Sequence, residues 1–144
     1  MRPADATAQL VRDAMLPDPH ALDAGASAQA AGEALTRPEV RAVLVTDRGR
    51  LAGVITRKTL VREVVARGRD PQTTTLGEIA EPPNATIESE TPLAEAFAFL
   101  EERDLERVPV VEAGRLVGVL SRSVVQRRLA EDEPPEPSGG GPGA

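Results

Sequence analysis

Two stretches decide the fold: Val43 to Arg57, VLVTDRGRLAGVITR, and Val108 to Arg122, VPVVEAGRLVGVLSR. They stand 65 residues apart with no gap, and eight of their 15 positions are identical. The same offset pairs Pro17 with Pro82, Ala31 with Ala96, Leu35 with Leu100 and Arg62 with Arg127. A fixed period of this kind marks a duplicated structural unit. The copies span 11–67 and 76–131, with a polar connector at 68–75. Residues 1–10 read as an N-terminal segment leading into a helix that starts at Asp5 or Thr7 and ends at Met15. The acidic, then Gly/Pro-rich residues 132–144 read as a disordered tail.

Each copy spells strand–helix–strand–strand–helix. A short extended piece comes first, His20 to Leu22 and Ala85 to Glu88. In the second copy Thr91 reads as a helix N-cap with Pro92 at the first helical position, followed by the apolar stripe Leu93, Ala96, Phe97 and Leu100. Its counterpart, Ser27 to Thr36, is mostly alanine. Next come β-branched runs around short glycine-bearing turns. Val43–Thr46 and Leu51–Ile55 flank Asp47-Arg48-Gly49-Arg50, and Val108–Val111 and Leu116–Leu120 flank Glu112-Ala113-Gly114-Arg115. Both units read as hairpins. Gly53 and Gly118 fall inside the last strand of each copy, which signals a bulge or a close backbone approach. A closing helix follows Thr56 and Ser121. One copy is too small to bury a core alone, so the two must share one.

Composition narrows the chemistry. The 144 residues contain no Cys, Trp or Tyr, two Phe and a single His, His20. Disulfides, zinc fingers, thiol nucleophiles and multi-histidine metal sites are therefore excluded. So is single-strand nucleic-acid binding by aromatic stacking. The net charge of −6 supplies no basic footprint for nucleic acid. No apolar run approaches membrane-spanning length, and no secretory signal is seen at the start. A cytoplasmic protein with no membrane association is expected.

The repeat resembles a tandem cystathionine β-synthase (CBS) domain pair, the Bateman module. The resemblance rests on VRDAM at 11–15, on Arg107-Val108-Pro109-Val110-Val111, and on Gly-Arg-Leu-x-Gly-Val-x-Ser/Thr at 49–56 and 114–121. It covers about 120 residues and leaves no room for a catalytic domain. It implies an α+β (α/β) fold of two pseudosymmetric βαββα repeats sharing one core, with facing sheets and two clefts between the repeats. It also implies a non-catalytic regulatory module, a sensor of AMP, ADP, ATP or S-adenosylmethionine, with no required cofactor. The partners implied are a homodimer through the CBS modules and an unidentified regulated protein. The alternative is a ligand-free dimerisation or protein-interaction module.

By the same resemblance, the hydroxyl ending the third strand contacts phosphate, which points to Thr56 and Ser121. An Asp three residues later would hold the ribose, but here those positions are Thr59 and Val124. Thr59 keeps one hydrogen-bonding group and Val124 keeps none. Adenine recognition falls to Leu22, Ala42, Val43, Ile87, Arg107, Val108 and Pro109. Thr56 and Ser121 also read as plain helix caps, and a helix N-terminus attracts phosphate as well. Arg57 and Arg122 stand in the first turn of the closing helices, where a cation opposes the helix dipole, so they read as phosphate clamps or as solvated surface. Arg50 and Arg115 read as surface residues of the turns. His20 reads as a surface group near the cleft mouth.

Overall fold

The computed structural model describes residues 9–132. Expectations for residues 1–8 and for the tail beyond Asp132 lie outside the described residues. In chain order the elements are α1 (Val11–Ala14), β1 (Leu16–Pro17), β2 (Ala21–Asp23), α2 (Ala28–Ala34), β3 (Val43–Asp47) and β4 (Arg50–Ile55). Then come α3 (Arg57–Leu60), which runs on as a π-helical stretch Val61–Val65, α4 (Leu76–Ile79) and β5 (Ile87–Glu88). The chain continues with α5 (Leu93–Glu102), β6 (Arg107–Glu112), β7 (Arg115–Ser121) and α6 (Arg122–Asp132).

The duplication holds pair by pair. In the first repeat β2 lies parallel to β3 with Leu22 opposite Val45, and in the second β5 lies parallel to β6 with Ile87 opposite Val110. Parallel neighbours need a crossover, supplied by α2 and α5. The hairpins β3–β4 and β6–β7 turn on Arg48-Gly49 and Ala113-Gly114, with φ of 55° and 83° in the first and 50° and 83° in the second. Two consecutive left-handed residues match the twist of the flanking strands. Both hairpins slip register at the same place, after Val45 and after Val110, opposite the strand glycines. The bulge signal in the sequence is thus realised in both copies.

The close-approach signal is realised too, by segments the repeat boundaries do not foretell. The opening segments are exchanged between repeats. α1 donates from Val11 N to Thr91 O (2.8 Å) and from Arg12 N to Ser89 O (2.9 Å) in the second repeat. α4 donates from Leu76 N to Ala26 O (2.9 Å) and from Gly77 N to Ala24 O (2.8 Å) in the first. These bonds are equivalent under the 65-residue offset. β1 then pairs with β7, Leu16 opposite Val119, while Glu81 pairs with Val54 of β4. The crossings pass over Gly118 and Gly53. A Cβ on Gly53 would meet Ala80 Cβ and Glu81 O at 2.8 Å, and one on Gly118 would meet Leu16 O at 2.9 Å.

The core divides accordingly. Leu93, Leu100, Val108, Val110, Leu120 and Val125 enclose Val11 and Ala14 of α1. Ala28, Ala31, Leu35, Val43, Val45, Ile55 and Val64 enclose Leu76 and Ile79 of α4. Each cluster is thus closed by a helix from the other repeat. The two sheet halves touch at the tips of their hairpins. They join at one register pair, Arg50 opposite Arg115, into a sheet ordered β2-β3-β4-β7-β6-β5 with β1 beside β7. The turns interlock there. Arg50 donates to Ala113 O at 3.1 Å and Arg115 donates to Arg48 O at 3.2 Å, so these surface arginines bind the repeats together.

Several boundaries move. The opening strand of the first repeat lies one residue later than His20–Leu22, and that of the second keeps only Ile87–Glu88 of Ala85–Glu88. α5 begins at Leu93 with Pro92 as its N-cap, one residue beyond the expected Thr91 cap. The reason is tertiary: Pro92 is extended at ψ 142° and bridges to Leu10, which postpones the helix. α2 is capped by Ser27, whose hydroxyl accepts from Ala30 N at 3.2 Å. Inside α2, Gly32 leaves room for a side chain. A Cβ there would lie 3.7 Å from Leu60 Cδ1, an ordinary contact. Gly32→Ala should therefore stabilise the protein by about 0.5–1 kcal/mol through backbone entropy. A melting temperature that fails to rise would refute it.

Candidate functional site

A cavity of about 620 Å³ opens between the repeats. Its walls draw on positions related by the 65-residue offset: Val40 with Leu105, Leu44 with Pro109, and Val54 with Val119. The surface is mostly aliphatic, as a chain without Trp or Tyr requires. Thr56, His20, Asn84, Glu39, Arg41 and Arg107 supply its polar groups. One continuous space crosses the pseudo-twofold axis, where the resemblance implied two clefts. The exchanged segments explain this, because Leu16 to His20 and Pro83 to Ala85 run between the two hairpins and line it from both sides.

His20 lines this cavity, and of the twelve candidate ligand residues read from the sequence, Ala42, Thr56, Arg107, Val108 and Pro109 do so. The other seven do not. Val43 and Ile87 are buried in the two core clusters, and Leu22 packs against the cluster that holds Val43. Arg57 donates to the carbonyls of Leu35 (2.6 Å) and Arg37 (2.8 Å), closing the C-terminal end of α2. Arg122 pairs with Glu106 and, at 3.7 Å, with Asp104. Ser121 accepts from Val124 N at 3.2 Å and shares a hydrogen bond with Ser123 Oγ. Thr56 is likewise a cap, accepting from Thr59 N at 3.2 Å, while also facing the cavity.

Thr59 is fully buried and lies behind that wall. Its hydroxyl accepts from Thr56 N at 3.0 Å and donates to the Glu81 carboxylate at 2.6 Å. Arg62 reaches the same Glu81 oxygen at 2.5 Å. Glu81 is held in place by the backbone bridge to Val54 (2.8 and 2.9 Å). The Thr59 hydroxyl first, then Arg62, keep the Glu81 carboxyl below the ordinary carboxylate range, against a smaller opposing effect of burial. Under the 65-residue offset Thr59 corresponds to Val124 and Glu81 to Leu16. A polar pair in one half is thus replaced by two aliphatic residues in the other.

Cavity residues absent from the sequence reading include Arg41, Glu39, Asn84, Leu44 and Val54. The signal for Leu44 and Val54 was available, since their counterparts Pro109 and Val119 sit at matching register. Arg41, in the connection between α2 and β3, carried no signal. Among the described residues, no group of three or more His, Asp or Glu side chains is placed to hold a metal. Among them, no helix is long and apolar enough to cross a membrane.

Two βαββα units with exchanged openings around one shared cavity define a tandem-repeat module. The family model for the CBS domain matches residues 11–66 and 76–131, and the chain belongs to that family. It is a CBS-pair module, of a kind that is generally regulatory. Hypoxic response protein 1 of Mycobacterium tuberculosis is 34% identical over 85 residues, which is 59% of each chain. The match thus spans about three fifths of that relative's length. The mitochondrial CBS domain-containing protein CBSX3 of Arabidopsis thaliana is 26% identical over 69% of this chain and 51% of its own. Among solved structures, Hypoxic Response Protein I with two coordinated zinc ions superposes with a TM-score of 0.69 at 26% identity, over 83% of this chain and 98% of the other. CBSX2 in complex with AMP superposes with a TM-score of 0.66, also at 26% identity, over 85% and 96%.

Proposed function

We propose that this module binds an adenosine nucleotide (AMP, ADP, ATP or S-adenosylmethionine) in the cavity between the repeats and acts as a non-catalytic sensor. The cavity carries the reading. About 620 Å³ of mostly aliphatic wall with a few convergent polar groups is the usual make-up of a small-molecule site. Val54, Leu44, Pro109 and Val119 offer flat aliphatic faces for a base, and Thr56 offers a hydroxyl beside the start of α3. The AMP complex of CBSX2 supports the ligand class. Neither a nucleophile–base pair nor a metal cluster among the described residues suggests a reaction.

Thermal melts and calorimetry with each of the four compounds test this reading. Ligand at a hundred times its Kd should stabilise the fold by about 2.7 kcal/mol. An absence of both heat and thermal shift for all four would overturn it. Steady hydrolysis of ATP would overturn the non-catalytic part.

A second reading, an interaction module that pairs with a second copy, is favoured by one surface. Val61 and Val65 are 59% and 71% exposed on the π-helical stretch. Beside them lies an apolar groove of about 320 Å³ at Gly32, whose counterpart in the second repeat is Phe97. Glu33 is the charged residue lining the groove, and the neighbouring Arg62 is ion-paired with Glu63 and Glu81. A second copy covering this groove would bury the exposed Val61 and Val65. Val65→Glu should then shift a dimer to monomer in sedimentation, and a parent chain monomeric at all concentrations refutes the pairing.

A further inference from the structure

We propose that Glu81, from outside the cavity, fixes the direction of the Thr56 hydroxyl, so that the wall presents a hydrogen-bond acceptor there and the ligand meets it with a donor. The inference rests on the adenosine reading above and refines it: the donor is a ribose hydroxyl or the exocyclic amine of the base. Thr56 lines the cavity, whereas Thr59 and Glu81 stand behind it. The three side chains form one chain of hydrogen bonds, and each hydroxyl in it has a single proton to give. Thr59 Oγ1 lies 2.6 Å from Glu81 Oε2. Glu81 is ionised at neutral pH, because the Thr59 hydroxyl and then Arg62 hold its carboxyl below the ordinary range. A carboxylate only accepts, so the Thr59 proton is committed to it.

The other directions follow from that one. Thr56 Oγ1 lies 3.0 Å from Thr59 Oγ1, and with the Thr59 proton on Glu81 the donor of this bond is Thr56. Thr59 Oγ1 also accepts from Thr56 N at 3.0 Å, which fills its remaining lone pair. Thr56 Oγ1 in turn accepts from Thr59 N at 3.2 Å. A second lone pair is all that the Thr56 hydroxyl still has to offer. An N–H or O–H would complete it, whereas a carbonyl or phosphate oxygen would set lone pair against lone pair. The second repeat lacks this arrangement. Its equivalents of Thr59 and Glu81 are Val124 and Leu16, and Ser121 shares its hydrogen bond with Ser123 Oγ at 3.1 Å. Removing the Glu81 carboxylate should reverse the pair. The fully buried Thr59 proton would turn to Thr56 Oγ1, since an unmet buried donor is costly, and the Thr56 proton would swing toward the cavity.

NMR on the full chain with labelled threonine reads the direction without a ligand. A hydroxyl proton bonded inside the protein is visible, and one that faces water is lost to exchange. The parent should show the hydroxyl protons of both Thr56 and Thr59. Glu81→Leu should keep the Thr59 proton and lose that of Thr56. Thr59→Val should also lose the Thr56 proton, and Thr59→Ser should keep it. The second repeat carries Leu and Val at the equivalent positions, and melting curves verify that each variant folds. Calorimetry with AMP or ATP, whichever binds more tightly, and with its 2′-deoxy, 3′-deoxy and deamino analogues then identifies the donor. One analogue should bind the parent about tenfold more weakly than the complete nucleotide, the equivalent of one hydrogen bond. Thr56→Val removes the acceptor and should bring the two to within about twofold of each other.

A Thr56 hydroxyl proton missing from the parent, or retained in folded Glu81→Leu or Thr59→Val, would overturn the role of Glu81 and leave the adenosine reading standing. Analogues that all bind the parent as tightly as the complete nucleotide, or a loss that persists in Thr56→Val, would overturn the assignment of a ligand donor to Thr56. The expected hydroxyl protons with no adenosine compound binding would uphold the role of Glu81 and refute the adenosine reading. No binding and no protected Thr56 proton would refute both.

Discussion

Gly53→Val should destabilise the protein by about 3 kcal/mol, at the upper end of overpacking costs. The expected drop in melting temperature is about 10 °C. The reason is that the obstacle is backbone. A Cβ at position 53 would lie 2.8 Å from both Ala80 Cβ and Glu81 O, and Glu81 is pinned by its reciprocal bridge to Val54. The crossing cannot yield without losing that bridge, and with it the seat of α4, whose Leu76 and Ile79 close the first core cluster. Gly118→Val meets Met15 Sδ, a flexible atom, as well as Leu16 O at 2.9 Å, so it should cost somewhat less. Chemical denaturation of both variants measures the difference. A Gly53→Val protein as stable as its parent would mean that the exchanged segments do not hold the repeats together.

Thr59→Asp should be the second severe change, although an Asp at this place is what the family resemblance leads one to expect. Position 59 is fully buried, and its hydroxyl sits 2.6 Å from the Glu81 carboxylate. An Asp there replaces a donor with a second anion. Arg62 is already committed to Glu81, so a second carboxylate buried beside it should cost about 3 kcal/mol. The pH dependence should change sign with it. In the parent, Glu81 has a carboxyl pKa below its unfolded value. Its contribution is therefore complete above the ordinary carboxylate range and fades as pH falls through the lowered value. In Thr59→Asp the two carboxylates share a site, which raises the pKa of the pair, so acidification should stabilise the variant relative to neutral pH.

Glu81→Gln added to Thr59→Asp should recover most of the loss, because an amide can donate to the new carboxylate. A double-mutant cycle of denaturation curves at two pH values checks both effects. Thr59→Asp alone matching the parent would show that Glu81 turns away from this site. The geometry also accounts for the threonine itself: with Glu81 arriving from the exchanged segment, the position needs a donor.

The period of 65 residues made the repeat and the βαββα order legible, and the strand registers repeat with it in the structure. Leu22 opposite Val45 and Ile87 opposite Val110 are the same contact read twice. The turns were legible because only a left-handed pair closes so short a connection. Gly49 and Gly114 mark it even though Arg48 and Ala113 share the strained conformation. The bulges were legible from Gly53 and Gly118. For the cavity, the aliphatic wall and Thr56 were legible. The roles of Arg57 and Arg122 were not. A cation in a helix's first turn reads as a phosphate clamp until one sees that Leu35, Arg37, Asp104 and Glu106 have claimed it.

By itself, then, the sequence determined the local pattern, which depends on neighbours a few residues apart: hydrophobic alternation, turn chemistry, caps, and an aliphatic interior forced by composition. Only the tertiary structure decided which repeat each opening helix completes, that the space between the repeats is one cavity, and which arginines remain available to a ligand. Those outcomes depend on partners as far apart as Arg12 and Ser89, or Arg50 and Ala113. Burial and hydrogen bonding select such partners in three dimensions, and no spacing along the chain records the choice.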